Sequence, residues 1–162
     1  MIKANIFGGR RRFTTTEPTD YRIRKISVHE FARASEKFLS EGFRGAIDVK
    51  ITSETAGYVE ISVYGFAYLV KLVLSKVYGN RVLSARMDFT KERISFSVDF
   101  GADADEDDVA DTVRAGEKCG LICQKDKTRL NFYAETKQSP TVSLYARDGI
   151  YSLSVYNEVF FI

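Results

Sequence analysis

The chain has 162 residues, 44% hydrophobic and 13% aromatic, with 24 Lys and Arg against 22 Asp and Glu. That composition excludes an intrinsically disordered chain, and a formal net charge of +2 excludes the strong overall field that draws proteins to nucleic acid or anionic membrane. A single domain of this length buries roughly 70% of the surface its unfolded chain exposes, so it needs no disulfide or metal staple.

Residues 1–20 carry Gly8-Gly9-Arg10-Arg11-Arg12 and Thr14-Thr15-Thr16-Glu17-Pro18 without sustained periodicity, and read as a loosely ordered arm ahead of one domain over residues 21–162. Three adjacent arginines suit phosphate, but no basic or aromatic stripe continues them, so a solvated tail is the simpler reading and nucleic acid a disfavoured partner. Residues 21–26 alternate as a short strand. Ser27 then caps a helix with Glu30 at the capping-box position, Phe31, Ala34 or Ser35, Phe38 and Leu39 along one stripe, and Gly42 where a left-handed C-cap is needed.

Residues 46–51 and 58–63 alternate apolar and polar on either side of Glu54-Thr55-Ala56-Gly57, which predicts an antiparallel hairpin. After Gly65, residues 66–77 are too apolar for an exposed helix and read as the central buried one, with Lys71, Ser75 and Lys76 as its polar exceptions and Lys76 at its exposed edge. Gly79-Asn80 ends it. Residues 82–88 and 93–98 make a second hairpin around Thr90-Lys91-Glu92.

Residues 103–111 are acidic, which favours the positive end of a helix dipole; Asp103 and Glu106 have capping-box spacing, and the helix is expected to run to Gly120 with Val109 and Val113 as a thin apolar face. Residues 121–124, 129–135 and 141–147 read as strands, and 151–155 and 158–162 as one or two more. The apolar C-terminal stretch either completes the sheet or leaves an edge for a homodimer, completion being the simpler. The expected fold is α+β, a two-layer sandwich of one mixed or mostly antiparallel sheet with about three helices on one face.

From residue 27 to 147 this order resembles the ATP-binding domain of sensor histidine kinases and their relatives, the gyrase, heat-shock chaperone and MutL superfamily. Residues 65–80 look like its buried helix, 81–101 like its hairpin, and 115–147 like its last helix and hairpin. Asp99-Phe100-Gly101 sits where that family keeps the Asp that hydrogen-bonds the adenine amino group and the Gly that lets the backbone pass close to the nucleotide. An Asp and a Gly at a strand end also simply make a turn, the simpler reading. Ser75, beside Lys76, falls where the family's buried helix carries an Asn that holds Mg²⁺, and neither replaces it well. The Gly-rich lid boxes are absent, and the acidic segment after Gly101 repels a triphosphate.

The resemblance therefore implies a non-catalytic member of the fold, a protein-interaction or regulatory module with a protein partner and no cofactor. The alternative is a nucleotide-binding protein or small enzyme with a modified pocket around Asp99, Gly101 and Ser75, taking ATP and Mg²⁺.

Other constellations point to less chemistry. Cys119 and Cys123 read as reduced thiols, and with one histidine in the chain they cannot complete a four-ligand zinc site. His29-Glu30-Phe31 reads as an exposed histidine in a first helical turn rather than a phospho-accepting box. A calcium loop starting at Asp103 fails at Asp108, where a Gly is wanted, and at Arg114, where a Glu is wanted. No window approaches the ~20 apolar residues of a membrane span and no signal-peptide pattern opens the chain, so the expected location is cytoplasmic.

Overall fold

Three side-chain caps set where the helices begin. In the computed structural model, which describes residues 16–52 and 57–138, helix α1 (Val28–Gly42) opens on Ser27, whose Oγ accepts the Glu30 N–H at 3.4 Å. Only half of the expected capping box forms, because Glu30 Oε1 is buried with no hydrogen-bond partner among the described residues. Gly42 stays inside α1 instead of capping it, and the left-handed residue is Gly45 at φ +83°.

Helix α2 (Val63–Tyr78) opens on Ser62, whose Oγ accepts the Gly65 N–H at 3.0 Å in a fully buried position. Ser62→Ala should therefore cost about 1 kcal/mol, within the usual ~0.5–2 kcal/mol for a lost cap, as a lower urea midpoint at unchanged slope. Helix α3 (Glu106–Lys118) is capped by Asp105, which accepts the Asp107 N–H at 2.8 Å. The expected cap, Asp103, lies two residues before the observed one.

Among the described residues the strands are β1 (Ile23–Ser27), β2 (Asp48–Ile51), β3 (Tyr58–Ser62), β4 (Ser84–Phe89), β5 (Arg93–Asp99), β6 (Ile122–Asp126) and β7 (Arg129–Glu135). The fold is α+β. Five strands form one mixed sheet in the order β2-β4-β5-β7-β6, with β2 and β4 parallel and the other pairs antiparallel. The hairpins β4–β5 and β6–β7 form where the sequence predicts strands, but the first expected hairpin does not. β3 pairs antiparallel with β1 in a separate two-stranded sheet, while β2 joins β4.

The alternation of residues 46–51 and 58–63 specifies which face of each strand is buried, not which neighbour it takes. Val59 and Ile61 of β3 are fully buried beside Ile26 of β1. β2 reaches its parallel partner only by a long crossover, which α2 supplies. Tyr58 and Lys137 exchange both backbone hydrogen bonds, at 2.8 and 2.9 Å, and so join the small sheet to the chain just after β7.

Alternation along β4, β5 and β7 turns Met87, Phe89, Ile94, Phe96, Val98, Leu130 and Phe132 to one face, all nearly inaccessible. All three helices cover that face. Phe31 of α1 lies 4.9 Å from the Phe66 ring of α2 and 5.8 Å from Phe89, Phe66 lies 6.1 Å from Phe96, and Gly116 of α3 rests directly on the Phe132 ring. Each aromatic side chain buried there contributes on the order of 1.5–3 kcal/mol. The opposite face is polar, with Ser97 donating to Asn131 at 3.1 Å and the Arg93 guanidinium 4.3 Å over the Tyr133 ring.

Among the described residues no helix is long and apolar enough to cross a membrane. The expected arm is described only from Thr16, where Glu17 accepts from the Tyr21 hydroxyl and from Lys118 Nζ, both at 2.8 Å. Arg10, Arg11, Arg12 and the strands expected after residue 138, with their dimer edge, lie outside the described residues.

Candidate functional site

Asp99 is the last residue of β5 and ties three segments together. Its Oδ1 accepts the Gly101 N–H and the Thr128 hydroxyl, each at 3.0 Å, and its Oδ2 takes Arg129 Nη2 at 3.3 Å. Its backbone carbonyl accepts the Leu83 N–H at 2.8 Å. The Gly101 N–H first, then Thr128 and Arg129, hold the carboxyl below its ordinary range. This contribution to stability is present above the ordinary carboxylate pKa and fades as acid titrates Asp99 in the fold.

Gly101 follows at φ +80°, a backbone that favours glycine, with Leu83 against it. Asp99 and Gly101 thus meet as the sequence predicts, in the geometry of a strand-end turn. Ser75 sits one turn before the end of α2, and its hydroxyl donates to Leu72 O of its own helix at 2.8 Å. Among the described residues no hydrogen bond links Ser75 to Asp99 or Gly101.

The polar centre that sequence reasoning missed is next to Ser75. Lys76, expected at an exposed edge, is only 3% exposed, and its Nζ lies 2.8 Å from Oδ1 of Asp108, itself 6% exposed, on α3. Arg81 Nη1 reaches the same oxygen at 3.2 Å. Asp108 Oδ2 is buried without a hydrogen-bond partner among the described residues.

Arg81 arrives there because α2 ends in a Schellman turn. Asn80 adopts φ +60°, its N–H bonds Val77 O at 3.1 Å, and the Arg81 N–H bonds Lys76 O at 2.8 Å. A cation on an otherwise apolar helix was the sequence hint, and only the position of α3 supplies the counter-charge. The buried face of α3 is correspondingly small and polar, made of Asp108, Thr112, Ala115 and Gly116.

Val109 and Val113 therefore do not enter the deep core. Half-buried, they line an open groove of about 530 Å³ between α3 and the β6–β7 hairpin, with Ala104, Ala110 and Leu130. Glu106, Arg114 and Glu117 stand on the helix wall, and Lys125, Lys127 and Thr128 on the hairpin wall. A second void of about 10 Å³ between Phe66, Phe96 and Phe132 is too small for a ligand. Neither is lined by Ser75, Asp99 or Gly101.

Among the described residues no group of three potential metal-binding side chains comes together. Cys119 is fully buried, its thiol pushed up to about 12 by desolvation, and Cys123 is half-buried with its pKa also raised by burial. At pH 8 an aromatic disulfide reagent should label Cys123 slowly and Cys119 only as fast as the protein unfolds. Rapid labelling of both would contradict this packing.

No protein-family model matches the chain, and no curated protein does either. Among solved structures it is similar to the histidine kinase domain of the blue-light activated histidine kinase from Erythrobacter litoralis EL346, at 15% identity and a TM-score of 0.31, over 81% of this chain and 73% of that one. A likeness at that score carries no argument about family or activity.

Proposed function

We propose that this chain is a non-catalytic domain of the histidine-kinase-like ATPase type, working as a protein-interaction or regulatory module with no nucleotide cofactor. The observation that carries the reading is the buried clamp of Lys76 and Asp108, 2.8 Å apart, which locks α3 against α2. In the ATPase fold the triphosphate lies beside the buried helix, under a glycine-rich lid that follows the Asp-x-Gly box. Here the chain from Gly101 enters α3 after four residues, 102–105. Lys76, the cation best placed to meet phosphate, is neutralised by a carboxylate from that helix.

Asp99 supports the same reading, because both its oxygens are engaged within the chain. The exposed Glu106 and Asp107 of the first turn add negative charge at the helix N-terminus, which disfavours an anion there.

The test is thermal unfolding of the full chain with millimolar ATP and Mg²⁺. The melting temperature should not move. Nucleotide at 100 times its dissociation constant would add about 2.7 kcal/mol, a rise of several degrees, and such a rise would overturn the proposal. Should a rise occur, Asp99→Asn decides whether the modified pocket around Asp99, Gly101 and Ser75 is responsible, since it should then weaken nucleotide binding.

A further inference from the structure

We draw no further inference here: the strongest candidate, the open groove between α3 and the β6–β7 hairpin with the outer edge of β6 beside it, has walls of mixed charge, and nothing in the structure shows what covers it.

Discussion

Asp108→Ala is expected to destabilise the fold by about 3–5 kcal/mol, because it leaves the Lys76 ammonium, 3% exposed, without its counter-charge. The cost comes from the stranded charge, not from the pair's own net worth. Replacing both partners with apolar residues, Lys76→Met with Asp108→Leu, should therefore return most of the loss or even exceed the starting stability. Arg81, whose side chain is 53% exposed, adds little, since water screens it. Equilibrium urea unfolding of Asp108→Ala and of the double variant checks this. If Asp108→Ala loses less than about 1 kcal/mol, the typical loss for any substitution, the clamp does not hold α3 to α2.

Gly116→Ala sets two effects against each other. Alanine is the better helix former by about 1 kcal/mol, so on an exposed helix the change would stabilise. At this position an added Cβ would sit inside the Phe132 ring, which is itself fully buried between the helix and its neighbours on the sheet. The void of about 10 Å³ beside the ring gives it little slack, and overpacking of this kind costs about 1–3 kcal/mol or more. A net loss of about 2 kcal/mol is the expected outcome, with partial rescue by Phe132→Leu in the same background. A gain in melting temperature from Gly116→Ala would mean that α3 does not rest on β7 as described.

Much of the local structure was legible because its causes are local. Ser27 announced α1, the apolar run after Gly65 announced the buried α2, and alternation announced β4 through β7. Where two local signals competed, one had to lose. Asp103 and Asp105 are both competent caps, and the chain uses the one from which the side chain reaches the Asp107 N–H. Gly42 carries a left-handed option that the Phe43 N–H made unnecessary by bonding Leu39 O at 2.9 Å.

The candidate sites were legible in a narrower sense. Asp99 and Gly101 are sequence neighbours, so their turn could be read directly, whereas Ser75 offers a hydroxyl that its own helix consumes. The buried pair of Lys76 and Asp108 is separated by 32 residues. No local pattern marks it.

By itself the sequence determined the α+β class, the N-cap of α1 and the face each strand buries, all properties of short spans with a fixed period or a required residue type. Only the tertiary structure decided that β2 pairs with β4 and β3 with β1, and that Lys76 is buried against Asp108. Those outcomes depend on which distant surfaces meet. Hydrophobic burial acts on area, not on sequence order, and so leaves that choice to the packing of the whole chain.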